Sequence, residues 1–113
     1  MTLKIYFNPQ CSKCKIAKNH LEKNNCKFQI INYLEKPITK KDIKEILQKG
    51  SLTINDILRK NEPEYQEHIK SKNLSENQII EMIIKHPRIL QRPIIISKDK
   101  AIIARDEKSL KQF

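Results

Sequence analysis

A single glycine, no tryptophan and no valine stand among the 113 residues, and the aromatics are limited to three tyrosines and three phenylalanines. Aromatics this scarce leave no stacking platform for single-stranded nucleic acid, and no base-reading signature is present. No apolar run approaches the roughly 20 residues that span a bilayer, and neither a secretory leader nor a lipidation pattern is visible. A soluble, cytoplasmic protein is therefore expected. Three cysteines, an odd count with one close pair, fit a reducing compartment better than a secreted disulfide framework. Cys11-x-x-Cys14 supplies half a zinc site, but no second pair at ligand spacing follows. Cys26 and His20 both lie on the one following segment, so no metal is expected. No Ser-His-Asp, His-Cys or paired-carboxylate arrangement appears. His20, His68 and His86 sit at unrelated spacings and read as surface or partly buried filler rather than bases, and the acidic run from Glu62 to Glu67 reads as a solvated helix face.

The net charge of +10 would suit a polyanion partner. Lysine is spread through every segment, however, and twenty isoleucines beside no valine point to a biased codon pool. Generic basicity is the better reading, and no nucleic-acid partner is expected. Against that background one scarcity is informative: only Arg59, Arg88, Arg92 and Arg105 are arginine among 23 basic residues. Where lysine is the default, an arginine marks a position that uses the planar five-donor fork. Arg59, Arg92 and Arg105 are candidates for oxyanion binding, and Arg88 reads as an ordinary surface residue.

The stretch Asn8-Pro9-Gln10-Cys11-Ser12-Lys13-Cys14-Lys15 organises the rest. The apolar run Leu3 to Phe7 leads into it as a strand, and Cys11 to about Asn25 leads out as a helix with Ile16, Ala17 and Leu21 facing inward. Cys11 then sits at a helix N-terminus, where unpaired N–H groups and the helix dipole favour thiolate over thiol. Cys14 is one turn further on the same face, within reach of a disulfide to Cys11. Cys26 reads as a packing residue.

A second strand, Lys27 to Leu34, carries Phe28, Ile30, Ile31 and Tyr33 as apolar positions and completes a parallel strand-helix-strand unit. A helical block follows. Thr39 with Asp42, flanked by Ile38 and Ile43, starts one helix, with Gly50 as its C-terminal cap. Thr53 with Asp56 starts another, ending near Arg59-Lys60-Asn61. A short helix over Glu64 to Lys70 and a longer one capped by Ser75 and Gln78 follow, the latter presenting Ile79, Ile80, Ile83 and Ile84 until His86-Pro87. Pro93 opens the strand Ile94 to Ile96, Lys98-Asp99 turns it back into Ala101 to Ala104, and Asp106 to Phe113 closes as a helix. The fold class is α/β, in the order β-α-β, four helices, β-β-α. This is a thioredoxin-like (glutaredoxin-like) four-stranded mixed sheet with a helical insertion at about 38–88, all in one domain, 1–113.

A Cys11 thiolate attacking a tetrahedral oxyanion meets charge repulsion, which positive groups fixed beforehand must offset. Arg59, Arg92 and Arg105 each close a predicted element, and each charged contact would contribute roughly 1.5–3 kcal/mol.

These residues resemble the glutaredoxin-coupled arsenate reductases, the ArsC family, which also holds the Spx transcription regulators. The matching pieces are Tyr6 to Lys13, Asn32 to Pro37, Leu58-Arg59-Lys60-Asn61 with Tyr65, His86-Pro87, Gln91-Arg92-Pro93-Ile94 and Arg105. The resemblance implies Cys11 as nucleophile on arsenate or a related oxyanion, with Arg59, Arg92 and Arg105 binding it. Asn8, Pro9, Ser12 and a cis Pro93 would form the active-site loop. No bound cofactor is implied. Glutathione would serve as co-substrate, glutaredoxin, or alternatively thioredoxin, as reductant, and the protein would act as a monomer. Two departures stand out. Phe7 occupies the place where many arsenate reductases carry histidine, and Cys14, absent from typical glutaredoxin-coupled reductases, resembles the second cysteine of the Spx-type Cys-x-x-Cys and would be a resolving or redox partner. The alternative reading is accordingly a redox sensor that binds RNA polymerase and switches through a Cys11–Cys14 disulfide.

Overall fold

In the computed structural model, residues 2–113 are described, and of Glu107 only the backbone. The chain divides into two compact units: residues 1–36 with 92–113, and residues 37–91.

The first unit carries the sheet. Strands β1 (Leu3–Tyr6), β2 (Phe28–Ile31), β3 (Ile94–Ile96) and β4 (Ala101–Ile103) lie in the order β2-β1-β3-β4. β1 pairs parallel to β2, with Ile5 opposite Ile30, and antiparallel to β3, with Ile5 opposite Ile95; β3 pairs antiparallel to β4. This is the mixed four-stranded sheet expected from the sequence. Helix α1 (Ser12–Lys23) lays Cys14, Ala17 and Leu21 on one sheet face, where they join Ile5, Phe7, Ile95, Ala104 and Leu110, the last from the short helix α5 (Glu107–Leu110). Spacing of three and four residues puts 14, 17 and 21 on one stripe. Ile16 falls off that stripe and is 51% exposed, so its expected inward place is taken by Cys14. Ile30, on the edge strand β2, is likewise exposed. The closing helix is shorter than 106–113; Asp106 Oδ1 accepts from Ser109 N at 2.7 Å and starts it.

The second unit is helical. α2 (Lys40–Gly50) begins at the Thr39/Asp42 capping box and α4 (Glu76–Lys85) at the Ser75/Gln78 box. Ile43, Ile46, Ile79, Ile80 and Ile83 are buried; Ile84 is half-buried at the margin of its helix's stripe. Gly50 is not the left-handed cap. Ser51 is, at φ 51°, with Ser51 N donating to Gln48 O and Leu52 N to Leu47 O. These are the paired bonds of a Schellman motif, displaced one residue past the glycine. The Thr53/Asp56 start signal yields only one 3-10 turn, Ile54–Ile57. Leu58 turns extended and bridges Leu90, while Arg59 N donates to Ile89 O and Gln91 N to Ile57 O. Cross-chain bonds replace the helical ones that would have carried the helix on to Arg59. α3 is Pro63–His68, two residues short of the expected end, and a 3-10 turn, Pro87–Ile89, follows α4.

Candidate active site

The sheet order sets the site. Cys11 follows β1, Tyr33 follows β2, Arg105 follows β4, and Arg92 precedes the antiparallel β3. All four therefore lie at one end of the sheet, at the carboxyl ends of β1, β2 and β4.

Asn8, buried, builds the loop that delivers Cys11. Its carbonyl accepts from Cys11 N at 3.0 Å, closing a turn with Pro9 at the position where a fixed φ helps, and its Oδ1 accepts from Gln10 N at 2.9 Å. Its own N–H donates to the buried Cys14 sulfur at 3.5 Å. Pro9, Gln10 and Ser12 are exposed. Cys11 is the N-cap of α1, with φ −96° and ψ 120°. The helix has no acidic residue in its first turn to spend the dipole on.

The two thiols are driven apart. Burial pushes the Cys11 pKa up, but the Cys14 backbone N–H, the Cys14 thiol, the Lys13 N–H and the Arg92 guanidinium all favour its thiolate, and together they leave the pKa below 9.0. Cys14 is pushed up to about 12, chiefly by burial, with the Cys11 thiol and charge adding to the rise and Asn8 N–H and Arg92 opposing it. The pair thus gives up one proton readily, from Cys11, and holds the second. Cys11, Cys14 and Cys26 are all free thiols; Cys26 is half-buried and packs on the α1 cluster.

Arg92 and Arg105 are tied together: Arg105 Nη1 donates to the Arg92 carbonyl at 2.6 Å. The Arg92–Pro93 peptide bond is cis, and the Pro93 carbonyl accepts from Ala104 N at 2.9 Å. Arg105 also lines a cavity of about 210 Å³ with Lys13, Ile16, Ala104, Asp106 and Leu110. Arg59 belongs to the second unit, where its Nη1 donates to Glu62 Oε2 at 2.9 Å. Arg88 is exposed.

Tyr33 is the site residue that sequence reading missed. Taken for an apolar strand position, it lies two residues beyond β2, 1% exposed, its ring edge-on to Tyr6 at 6.5 Å. The buried hydroxyl feels the Arg92 charge and those of both cysteines. The available signal was a phenol at a strand's carboxyl end, where an aliphatic residue would have served packing equally well.

The match to known proteins runs along the same residues. The ArsC family profile covers residues 6–113. The chain belongs to the ArsC family. An arsenate reductase of Neisseria meningitidis is 30% identical over 91% of this chain and 90% of its own length. The global transcriptional regulator Spx of Streptococcus pneumoniae is 28% identical over 96% and 83% respectively. Among solved structures, the arsenate reductase of Vibrio cholerae superposes with a TM-score of 0.87 at 28% identity, covering 99% of this chain and 94% of that one. The fold is thus the thioredoxin-like fold of ArsC proteins. Phe7, in the place of the histidine many ArsC members carry, is buried in the α1 cluster and offers Cys11 no ring nitrogen.

One expectation about charged groups in this ArsC chain is corrected. The acidic run 62–67 is not simply solvated: Glu62 pairs with Arg59, and Glu64 Oε2 lies 3.1 Å from His86 Nδ1. His86 in turn stacks on His68 with ring centres 4.2 Å apart, and both rings are partly buried, in keeping with the sequence reading. Among the described residues no three His, Cys, Asp or Glu side chains gather to hold a metal, and no helix is long and apolar enough to cross a membrane.

Proposed function

We propose that this ArsC-family chain is a thiol-dependent oxidoreductase that reduces arsenate to arsenite at Cys11, with glutathione as co-substrate and glutaredoxin regenerating the enzyme. The observation that carries this reading is the Cys11 sulfur at the α1 N-terminus beside the Arg92 guanidinium, its pKa held below 9.0. A thiolate there attacks arsenic and displaces an oxygen, which leaves as water once protonated. A second thiol, from glutathione, then supplies the other half of a disulfide. Two thiols become one disulfide, arsenic gains two electrons, and arsenite departs; glutaredoxin then reduces the mixed disulfide. Arg92 and Arg105 neutralise the incoming anion, and the family resemblance assigns Arg59 the same task. Guanidinium groups suit it because they present two parallel donors to an oxyanion.

Steady-state arsenite formation with glutathione and glutaredoxin tests the proposal. Cys11→Ser abolishes turnover, and Arg92→Ala, Arg105→Ala and Arg59→Ala each lower kcat/KM about ten- to hundred-fold. A wild-type protein that turns over with no thiol donor refutes the reduction chemistry, and one that never forms arsenite refutes the substrate.

A second reading is favoured by Cys14 and by the likeness to the Spx regulator: a redox sensor whose Cys11–Cys14 disulfide controls binding to RNA polymerase. Cys14→Ser separates the two. Glutathione-dependent turnover survives that change if Cys14 is incidental to catalysis, whereas a switch is lost with it.

A further inference from the structure

The Tyr33 hydroxyl is a donor that the protein leaves unused. Its oxygen is buried, and although the Arg92 guanidinium lies near enough to favour its ionised form, the hydroxyl proton finds no acceptor among the described residues. An unsatisfied buried hydroxyl is costly, and native structures retain few of them. The ring itself is well placed for packing, edge-on to Tyr6, so phenylalanine would serve the core without that cost. Tyr33 follows β2 at the same end of the sheet as Cys11, Arg92 and Arg105, and its hydroxyl lies within the electrostatic reach of Arg92 and both cysteines.

We infer that Tyr33 is an oxyanion-binding residue, whose buried hydroxyl donates a hydrogen bond to an oxygen of the tetrahedral anion bound between Cys11 and Arg92. This deepens the oxyanion-reductase reading and rests on it. A neutral donor complements the arginines: it binds an anion oxygen without adding charge to a site already positive. Burial, opposed by the Arg92 guanidinium, pushes the Tyr33 hydroxyl up to about 12, so it keeps its proton and remains a donor throughout the range in which Cys11 is a thiolate. The Tyr33 hydroxyl is neutral below its raised pKa, so its loss removes no charge from beside Cys11 and leaves the thiolate about as reactive as before.

The test is protection of Cys11 from iodoacetamide by arsenate and by inorganic phosphate, in wild type and Tyr33→Phe, on the reduced full-length chain. In wild type both anions slow alkylation with saturation. In Tyr33→Phe the half-protecting concentration rises about ten- to hundred-fold, the span for one hydrogen bond to a charged group. The anion-free alkylation rate and its pH midpoint stay where they were, and the urea midpoint at pH 7 is equal or higher. Equal protection in the two proteins overturns the inference while leaving the oxyanion reading intact; no protection of wild type by either anion overturns the oxyanion reading itself. A Tyr33→Phe protein that is less stable, or whose Cys11 reacts more slowly without anion, shows a hydroxyl already engaged in structure and overturns the inference as well.

Discussion

Raising the pH should weaken this fold in a way that two named side chains account for. Cys14 ionises near 9.0 when unfolded but at about 12 in the fold, and Tyr33 near 10.0 against about 12. A raised folded pKa means that the folded chain holds a proton the unfolded chain has released. The associated stability is complete below the unfolded value and is lost as pH climbs toward the folded one. Each group removes up to about 1.4 kcal/mol per pH unit in its window. At pH 11 this comes to about 3 kcal/mol for Cys14 and about 1 for Tyr33, together about 4, against the 5–15 kcal/mol typical of a domain. Cys11 works in the opposite sense. Its lowered pKa adds stability as pH rises to 9.0 and nothing further above it, so it offers no compensation in the alkaline window.

The assay is a urea midpoint at half-unit steps from pH 8 to 11.5 under reducing conditions. Nineteen lysines lose charge over the same range and relieve repulsion, so the informative quantity is the difference between wild type and variants. Cys14→Ala removes the fall that begins near pH 9, and Tyr33→Phe removes the part that begins near pH 10. Wild-type and Cys14→Ala curves that run parallel from pH 9 to 11 refute the assignment of the high-pKa thiol to Cys14.

Three further outcomes follow from the same geometry. Iodoacetamide at pH 7.5 modifies Cys11 well before Cys14, by mass mapping, and Arg92→Ala slows that reaction and moves its pH midpoint upward; equal labelling of the two thiols contradicts the divided pair. Leu21→Ala, at a fully buried position between α1 and the sheet, costs about 2–5 kcal/mol in urea unfolding, whereas Ile16→Ala changes stability by less than about 1. Ser51→Gly raises stability by up to about 1 kcal/mol because the left-handed cap at φ 51° no longer strains a Cβ, and a loss in the same measurement refutes the cap assignment.

Local signals carried most of the architecture into the sequence. Capping boxes at Thr39/Asp42 and Ser75/Gln78 bond N-cap and N3 side chains reciprocally, so they announce helix starts without help from the rest of the fold. The Asn8-Pro9 turn before Cys11 is equally local. What was illegible depended on distant partners. Thr53/Asp56 is as good a start signal as the other two, yet that helix stops after one turn because segment 89–91 claims its backbone groups. Ile16 and Ala17 look alike in one dimension; only docking against Ile5, Ile95 and Ala104 decides that the stripe runs through Cys14, Ala17 and Leu21. The arginines stood out by rarity, whereas Tyr33 did not, because a phenol in an apolar strand is recognised as a polar group only when its surroundings are known.

The arrangement of the two cysteines also bears on both proposed readings, reductase and switch. While Cys11 carries its charge, it helps, after burial, to hold the Cys14 proton, so in the proposed chemistry Cys14 is a spectator and Cys11 the nucleophile. Once Cys11 forms a bond to arsenic, glutathione or an oxidant's oxygen, that charge disappears and one cause of the raised Cys14 pKa goes with it. Cys14 is then more easily ionised, one helical turn from the sulfur it would attack. Burial alone remains to restrain it, and the Asn8 N–H, 3.5 Å from its sulfur, is a donor ready for the resulting thiolate. On the proposed reading, a race between Cys14 and glutathione decides whether an adduct at Cys11 is resolved from within or by an outside thiol. Turnover of Cys14→Ser at limiting glutathione reads that race: the variant depends more steeply on glutathione than wild type if Cys14 competes, and identically if burial keeps it silent.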